Sequence, residues 1–329
     1  MSIGLGIIGC GLIGHKRAQA LESSFKLVSC YDALRDRAER LAKDHRARAC
    51  SSVSALLQDP KVNAVVISTQ HDSLASFTMA AVRAGKHVLV EKPAARSARE
   101  LLPVLAAAKK ARVQVRVGYN HRFHRAFRKA REVVDAGKLG PLMMIRGRYG
   151  HGGRLGYEKE WRADPKKSGG GELIDQGVHL IDLAHWFLGD FKKVEGYAQT
   201  LFWKMPVDDN AFLLLRTARG QTASLHASCT EWKNLFSFEI YGRAGKLHVE
   251  GLGGSYGREK LTWHKMHPQM GPPETMEWLY LMRDDSWEVE MTEFKKDILL
   301  RRSASPGLKD AYKALKITQS IYKLSRYVF

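Results

Sequence analysis

Two side chains that can move a proton together stand four residues apart, at Asp175 and His179. The residues around them predict a helix that runs to about Leu188, and residues spaced i, i+4 share one face of a helix. A histidine has a pKa near neutrality and can take the proton of a hydroxyl group. A neighbouring carboxylate can orient the imidazole and stabilise its protonated form. The spacing therefore predicts an acid–base pair, and the glycine run at 169–171 lets a ligand approach the backbone beside it.

A third reactive side chain, Lys92, closes the segment Gly85-Lys-His-Val-Leu-Val-Glu91-Lys92-Pro93. The apolar residues before it predict a buried strand over 86–90. Ligands of open parallel sheets bind outside the carboxyl ends of the strands. An ammonium group at that place can stabilise negative charge that develops on an oxygen atom.

A dinucleotide-binding loop is predicted near the N-terminus, where the apolar run Ile3 to Ile8 leads into Gly9-Cys-Gly11-Leu-Ile-Gly14. Gly9 permits a tight turn, Gly11 lets the backbone approach a pyrophosphate, and Gly14 allows close packing of helix on strand. The pyrophosphate would meet the N–H groups at the start of the following helix. Asp32 ends the second predicted strand, where a carboxylate accepts hydrogen bonds from the ribose of NAD and disfavours the 2′-phosphate of NADP. We therefore expect NAD, with NADP less favoured.

The elements that position these residues fall into two patterns. Strands and helices alternate through the first 120 residues, which predicts a doubly wound parallel sheet of the Rossmann type, with its first helix over 12–22. Further on, strands are predicted at 142–149, 193–203, 211–217, 222–230, 236–241 and 246–250. We expect a dinucleotide-binding domain at 1–120 and, at 121–329, an α+β domain for substrate binding and oligomerisation with a large, mostly antiparallel sheet. The stretch 251–273 is predicted to be irregular, and a last helix at 308–326 is expected to pack toward the first domain.

Two distant motifs, Glu91-Lys92-Pro93 and Gly169-Gly-Gly-Glu-Leu-Ile-Asp175-Gln-Gly-Val-His179, occur in an order that resembles the Gfo/Idh/MocA family (glucose–fructose oxidoreductase, inositol dehydrogenase, rhizopine catabolism). The resemblance covers essentially the whole chain. It implies that Lys92, Asp175 and His179 form the catalytic group of an enzyme that transfers a hydride between NAD and a secondary hydroxyl of a sugar or cyclitol. It also implies a homodimer or homotetramer.

The residues expected to bind the cofactor follow the ends of the predicted strands of the first domain. They are Gly9, Gly11, Leu12, Ile13, Gly14, Asp32, Ser68, Thr69, His71, Glu91, Lys92 and Asn120. The chain departs from the family at Ser68-Thr69-Gln70-His71, since many members have Thr-Pro-Asn there and His71 takes the place of the asparagine.

The substrate is expected to meet residues of both domains, and one loop rich in glycine, aromatic residues and arginine stands before the predicted Asp175–His179 helix. The candidates are Lys92, Asn120, Arg122, Tyr149, Trp161, Arg162, Asp175 and His179. Arginine binds phosphate through its planar fork, and aromatic faces stack on sugar rings and bases. These residue types favour a sugar phosphate or a nucleotide sugar, while an uncharged sugar or cyclitol remains open.

Composition restricts the remaining function classes. The net charge is +19, and residues 121–167 hold 13 Lys/Arg against 5 Asp/Glu. No helix-turn-helix or zinc signature accompanies that charge, so we expect no nucleic-acid partner. The sequence also contains no long uncharged apolar stretch, and its four cysteines form no C-x-x-C pair, which favours a cytoplasmic protein without a membrane partner. His121-x-x-His124 and His264-x-x-His267 lack a third ligand, so no metal is expected.

Two alternatives to a freely exchanging dehydrogenase stay open. Some relatives hold NAD tightly and use transient oxidation for isomerisation, elimination or glycoside hydrolysis. Others of this fold are non-catalytic sensors or regulators, against which the presence of Lys92, Asp175 and His179 argues.

Overall fold

The computed structural model describes residues 3–21, 25–269 and 271–327, which form two compact units. The first unit contains the described residues up to Asn120 together with Trp287–Leu315. The second contains His121–Ser286 and the described residues from Lys316 onward. The sequence-based division expected a return to the first domain only for the helix at 308–326. Residues 308–315 agree with that expectation, and residues 287–307 differ from it.

The sheet of the first unit consists, within the described residues, of six parallel strands in the order β3-β2-β1-β4-β5-β6. The strands are β1 (Ile3–Ile8), β2 (Phe25–Tyr31), β3 (Arg48–Ala49), β4 (Ala64–Ile67), β5 (His87–Glu91) and β6 (Val115–Gly118). The strand order reverses at β1, which pairs with both β2 and β4. This arrangement confirms the predicted doubly wound Rossmann sheet, and it places the glycine loop after β1 at the topological switch point.

Among the described residues up to 120, five α-helices connect these strands. They are α1 (Leu12–Gln19), α2 (Arg35–Asp44), α3 (Val53–Leu57), α4 (His71–Arg83) and α5 (Ala98–Ala111). The helix predicted over 12–22 ends at Gln19, and Glu22 lies outside the described residues.

The second unit is built on a sheet whose eight described strands run in the order β14-β13-β12-β11-β7-β10-β9-β8. The strands are β7 (Leu142–Gly150), β8 (Phe191–Gln199), β9 (Asn210–Thr217), β10 (Thr222–Ser228), β11 (Leu235–Gly242), β12 (Gly245–Glu250), β13 (Glu259–Lys265) and β14 (Thr275–Tyr280). The pair β7–β10 is parallel and the other pairs are antiparallel, so the expectation of a large, mostly antiparallel sheet is confirmed. The helices are α6 (Arg125–Asp135), α7 (Pro165–Ser168) and α8 (Val178–Leu188).

The last two helices, α9 (Ser286–Leu299) and α10 (Leu308–Leu324), include the segment that returns to the first unit. Phe294 of α9 is fully buried in the same core as β1 and stacks on Phe25, with ring centroids 5.8 Å apart. Two buried ion pairs add to this packing. Arg17 of α1 lies 2.6 Å from Glu290, and Arg116 of β6 lies 2.6 Å from Asp297.

One sequence prediction in the second unit is wrong. The stretch 251–273 was predicted to be irregular, yet β13 crosses it and pairs with β12 and β14. The alternating residues Leu261 and Trp263 of β13 are buried. The prediction failed because glycines and prolines on both sides of this short strand dominate the composition of the stretch.

Candidate functional site

The glycine loop of the first unit has the geometry of a dinucleotide site. Gly9 has a φ of +96°, and a Cβ on Gly14 would lie 2.1 Å from the carbonyl oxygen of Gly9, so only glycine allows α1 to pack so close to the strand end. Ser68 donates a hydrogen bond of 2.8 Å to the same carbonyl and fixes the loop. No side chain in the described part of the chain caps the first turn of α1, which begins at the exposed Leu12. Its backbone N–H groups and helix dipole suit a pyrophosphate.

Asp32 fixes the loop from the neighbouring strand. Its Oδ2 accepts a hydrogen bond of 2.7 Å from the backbone N–H of Cys10, and its Oδ1 accepts one of 2.8 Å from Leu34. Each carboxylate oxygen can accept a further bond, and the side chain is only half-buried. The residue thus fits the expected acceptor for ribose hydroxyls beside the glycine loop.

The other expected cofactor residues of the first unit gather at the carboxyl ends of its parallel strands. Ser68 and Thr69 follow β4, Glu91 and Lys92 lie at the end of β5, and Asn120 follows β6. His71 is the first residue of α4 and is only 4% exposed, so it is not a surface residue at a helix start. Glu91 lies 2.6 Å from Arg17, which holds the end of β5 beside Lys92.

In the second unit, Asp175 and His179 lie on a buried helical segment that is not uniformly α-helical. Residues Leu173–Gly177 form a π-helical turn that continues directly into α8. Such turns are rare and occur frequently at functional sites. Asp175 is 5% and His179 is 4% exposed, which places an ionisable pair within the unit rather than on its surface.

The imidazole of His179 stacks on a second imidazole, that of His121, with ring centroids 3.9 Å apart and an interplanar angle of 29°. Tyr149, at the end of β7, lies against both rings, with centroids 5.1 Å from His121 and 6.0 Å from His179. Burial is the main cause that raises the pKa of Tyr149 well above its usual value, so its hydroxyl group remains a proton donor. Sequence reasoning had weighed His121 only as a metal ligand, and no local signal shows that it stacks on His179.

Asp175 is held by Arg162, whose Nε donates a hydrogen bond of 2.8 Å to its Oδ2. The guanidinium also lies over the ring of Trp161, 4.7 Å from its centroid. The charge of Asp175 is the largest cause that raises the pKa of Arg162. Arg162 was expected to contact the substrate, and the structure shows that it contacts Asp175 of the predicted acid–base pair.

Arg122, a further candidate substrate contact, is instead a bidentate partner of Asp182 on α8. Its Nη2 and Nε donate hydrogen bonds of 2.6 Å and 2.8 Å to the two carboxylate oxygens, and both side chains are buried. This pair supports the helix that carries His179, and a substrate contact of Arg122 stays a prediction. Sequence reasoning missed this partner because Asp182 stands 60 residues further along the chain.

The remaining arginines of the basic stretch 121–167 are also paired with carboxylates. The ion pairs are Arg125–Asp285, Arg128–Asp285, Arg131–Asp135, Arg146–Glu239, Arg148–Glu231 and Arg154–Glu160. The positive charge that suggested an anionic substrate is therefore offset locally.

The glycine run before the Asp175 segment fits around Asp208, a residue that sequence reasoning missed. A Cβ on Gly171 would lie 1.9 Å from the carbonyl oxygen of Asp208, so a side chain has no room there. The carboxylate of Asp208 accepts hydrogen bonds of 2.8 Å from the N–H of Gly171 and 2.7 Å from that of Leu173. Burial raises the pKa of Asp208 to about 6, although these bonds act in the opposite direction. Asp208 thus caps the start of the segment that bears Asp175.

Neither a membrane helix nor a metal cluster is found in the residues that the structure describes. None of the described helices is long and apolar enough to cross a bilayer. No group of three or more His, Cys, Asp or Glu side chains within 3–21, 25–269 and 271–327 has the arrangement of a metal site. The two histidine pairs noted in the sequence have other contacts, since His124 Nδ1 lies 3.2 Å from Glu259 and His264 Nδ1 lies 3.1 Å from Thr275.

Comparison with known proteins gives matches to both units. A family model described as "Oxidoreductase family, NAD-binding Rossmann fold" matches residues 3–119, and a model described as "GFO/IDH/MocA C-terminal domain" matches residues 127–248. Inositol 2-dehydrogenase 2 of Saccharopolyspora erythraea is 31% identical over 229 residues, which are 67% of this chain and 65% of that protein. The match therefore spans slightly less than two thirds of that relative's length.

Two further comparisons cover more of the chain. scyllo-Inositol 2-dehydrogenase (NAD(+)) of Bacillus subtilis is 28% identical over 256 residues, which are 74% of this chain and 72% of that protein. A solved structure of levoglucosan dehydrogenase in complex with NADH and levoglucosan has a TM-score of 0.90 at 23% identity, and the alignment covers 99% of this chain and 97% of that chain. At that identity the structural likeness supports the fold.

Proposed function

The chain belongs to the Gfo/Idh/MocA family of oxidoreductases, and on that premise we propose that it is an NAD-dependent dehydrogenase of an uncharged sugar or cyclitol. The observation that carries the proposal is the buried pair Asp175 and His179, with Arg162 bonded to the carboxylate and His121 stacked on the imidazole. Such a pair can take the proton that an alcohol must lose when it is oxidised.

The first unit is an NAD-binding Rossmann domain, and its residues fit the cofactor. The uncapped start of α1 would hold the pyrophosphate, and Asp32 would accept hydrogen bonds from the ribose. When bound, NAD supplies the acceptor for the hydride of the substrate carbon.

The chain's own residues would handle the proton and the charge on oxygen. We assign His179 as the group that takes the hydroxyl proton. Asp175 would stabilise the imidazolium that results, and Arg162 would keep the carboxylate in place. We assign Lys92 the stabilisation of negative charge on the substrate oxygen.

The preference for an uncharged substrate rests on the pairing of the arginines in 121–167. A phosphate would have to displace a carboxylate from Arg162 or from Arg122, and the latter is buried with its partner. Hydroxyl groups need no such exchange. The sugar phosphate or nucleotide sugar favoured by the sequence is therefore the second candidate.

The experiment that tests the function is reduction of NAD, followed by nicotinamide absorbance, with four substrate classes: cyclitols, free or anhydro sugars, sugar phosphates and nucleotide sugars. We expect turnover with an uncharged class, loss of kcat in Lys92→Ala and His179→Ala, and little change in Lys110→Ala, an exposed lysine of α5. Turnover restricted to phosphates or nucleotide sugars would overturn the substrate class.

The same experiment separates the alternative reactions. NAD that remains bound through purification, with a product formed but no net NADH, would replace the dehydrogenase by an enzyme of transient oxidation. Binding of NAD without conversion of any class would leave a sensor.

We further propose that the eight-stranded sheet forms the contact of a homodimer or homotetramer. Its strands β8 and β9 expose Tyr197, Phe212 and Leu214, and Tyr197 stands opposite Phe212 in the register. Exposed apolar residues gathered on one face are typical of association surfaces. Light scattering gives the molecular mass of the wild type, which we expect to be that of a dimer or tetramer, and of Leu214→Lys, which we expect to be lower. A monomeric wild type would refute the proposal.

A further inference from the structure

The imidazole of His121 lies inside the second unit, among aromatic rings. The residue belongs to the short 3₁₀ turn Asn120–Phe123 that precedes α6, and it is 5% exposed. Its ring centroid lies 3.9 Å from that of His179, 5.1 Å from that of Tyr149 on β7 and 5.7 Å from that of Phe236 on β11. The closest of these three rings is the one to which we assigned the hydroxyl proton.

The two imidazoles meet through their faces. The angle between their planes is 29°, so the rings are stacked rather than joined edge to edge. The ring N–H groups and lone pairs of an imidazole point outward in the plane of the ring, so a stacked neighbour does not receive the proton directly. A positive charge over the face of a neutral aromatic ring is, however, stabilised. His121 is therefore placed to act on His179 through its ring face and not as the next proton acceptor.

The short distance between the two rings limits the pair to one proton. Two imidazolium ions at this separation repel each other, and Coulomb's law with an effective dielectric constant of about 20 makes the second proton roughly two to three pH units harder to add than the first. Burial among aromatic rings also disfavours a charged His121. His179 follows Asp175 by four residues on one buried segment, and a carboxylate nearby favours positive charge. The single proton is therefore expected on His179, with His121 neutral.

Titratable groups of the neighbouring elements also approach the two rings. On the turn of His121 itself, the ring of His124 lies 5.7 Å away between centroids, and its Nδ1 lies 3.2 Å from Glu259 and 3.8 Å from Asp284. Tyr149 is hydrogen-bonded to Tyr256, and burial raises the pKa of both hydroxyl groups, so both stay uncharged near neutrality. The carboxylates on the segment of His179 already face positive or imidazole partners, in the pairs Asp175–Arg162, Asp182–Arg122 and Glu172–His151. A proton on His121 would thus lie between two further imidazoles, while the tyrosines add no charge.

We propose that His121 is a positioning residue for His179, a neutral imidazole that stacks on the proton-accepting ring, fixes its plane and stabilises it once it carries the proton. The inference rests on the proposed function, in which the hydroxyl proton goes to His179 and the hydride to NAD. His121 itself neither gains nor loses a proton in that reaction. Because the pair holds one proton, a proton that either ring takes from solvent blocks the step, and activity is lost as the pH falls.

The test is an NMR titration of the full chain with ¹³C at Cε1 of its 13 histidines, which needs no substrate. The signals of the pair are identified by their loss in His121→Phe and His179→Gln. In the wild type we expect His179 to take up a proton while His121 stays neutral for at least about two further pH units. In His179→Gln we expect His121 to take up its proton about two or more pH units higher than in the wild type, because the neighbouring charge is gone.

Two substitutions of His121 then separate the ring face from mere filling of space. His121→Phe keeps a stacked face, and we expect the titration midpoint of His179 to stay within about 0.3 pH units of the wild type. His121→Leu removes the face, and the midpoint should fall by roughly 0.5–1.5 pH units. The matched control is His264→Phe on β13, a histidine hydrogen-bonded to Thr275, which should leave both midpoints unchanged.

Kinetics connect the titration to the reaction. With the uncharged compound that reduces NAD in the experiment above, His121→Leu should lower kcat by at least about 10-fold, because the accepting ring is no longer held in place, and should change KM by less than about 2-fold. The acid limb of its kcat/KM profile should move to lower pH by the amount that the NMR midpoint moves. A purely structural role of His121 would not shift that limb.

Three results would overturn the inference. They are protonation of both rings within about one pH unit of each other in the wild type, a titration of His121 that is the same with and without His179, and a midpoint of His179 that is equal in His121→Leu and His121→Phe. A through-space cross-peak between the two rings also identifies their signals in the wild type, so the first result is accessible even if the variants do not fold. Coupled rings without turnover of any substrate class would refute the proposed dehydrogenase and keep the paired rings. Turnover with uncoupled rings would refute this inference alone.

Discussion

Replacement of Asp208 by asparagine should change how the stability of the second unit depends on pH. Burial raises the pKa of this carboxyl from 3.8 to about 6, so the folded chain holds the proton more tightly than the unfolded chain does. The stabilisation that comes from this difference is fully present below about pH 4 and is lost as the pH rises to 6 and above. One pKa unit corresponds to ~1.4 kcal/mol, so the total is roughly 3 kcal/mol.

Asparagine cannot titrate, and it therefore removes this dependence. Its amide also loses one of the two acceptors for the N–H groups of Gly171 and Leu173, which lowers stability by an amount that does not vary with pH. The quantity of interest is the unfolding free energy of the wild type minus that of Asp208→Asn. We expect this difference to fall by up to ~3 kcal/mol between pH 4 and pH 7.

Urea unfolding followed by tryptophan fluorescence provides the measurement. Six of the seven tryptophans lie in the second unit, so the signal reports mainly on the unit that contains Asp208. Asp135→Asn is a useful comparison, because the hydrogen bond from Arg131 lowers the pKa of Asp135 and the sign of its pH dependence is opposite. A difference between wild type and Asp208→Asn that stays constant from pH 4 to pH 7 would refute the reasoning.

Three further predictions concern the first unit. Gly14→Ala should destabilise the protein by ~1–3 kcal/mol, because the added Cβ would lie 2.1 Å from the carbonyl oxygen of Gly9. In Gly11→Ala the nearest atom to the added Cβ is Nη1 of Arg37 at 3.9 Å, so this variant should bind NADH more weakly at an unchanged melting temperature. Equal melting temperatures for the two variants would contradict this prediction. Asp32→Ala should lower the affinity for NAD and raise the NADP-to-NAD preference in fluorescence titrations, and an unchanged ratio would reject Asp32 as the discriminating residue. Asp297→Ala should lower the free energy of unfolding in urea by ~3–5 kcal/mol, because it removes the carboxylate that pairs with the buried guanidinium of Arg116. Arg302→Ala, at the exposed side of the same carboxylate, should lower it by less than ~1 kcal/mol.

The first 120 residues could be interpreted from the sequence because their signals are local. The strand Ile3–Ile8 contains only apolar residues and glycine, as strands buried on both faces do, and it has the bounds of the apolar run in the sequence. Gly85 stands after α4 with a φ of +71°, as a helix-terminating glycine does. In each case the residue and its structural reason lie within one turn or one strand.

The features that the sequence did not predict depend on partners far along the chain. Helix α9 turns Glu290 and Asp297 inward to meet Arg17 and Arg116. Its buried face is therefore only partly apolar, and its periodicity gives no clear signal. Asp208 caps a segment that lies 35 to 37 residues before it. The sequence places Glu172 beside the glycine run, but only the structure shows that its carboxylate is buried and lies 3.5 Å from His151.

The late segment 287–315 of the first unit has a consequence for biosynthesis. When the ribosome has completed Asn120, the six described strands of the parallel sheet have been made, but Glu290 and Phe294 are still 170 and 174 residues away. At about 5–20 residues per second, the nascent unit waits on the order of ten to thirty seconds for them. During that time Phe25 lacks its stacking partner and the guanidinium of Arg17 lacks one of its two counter-ions. The nucleotide-binding half, although first in the chain, is therefore among the last parts of the protein to be completed.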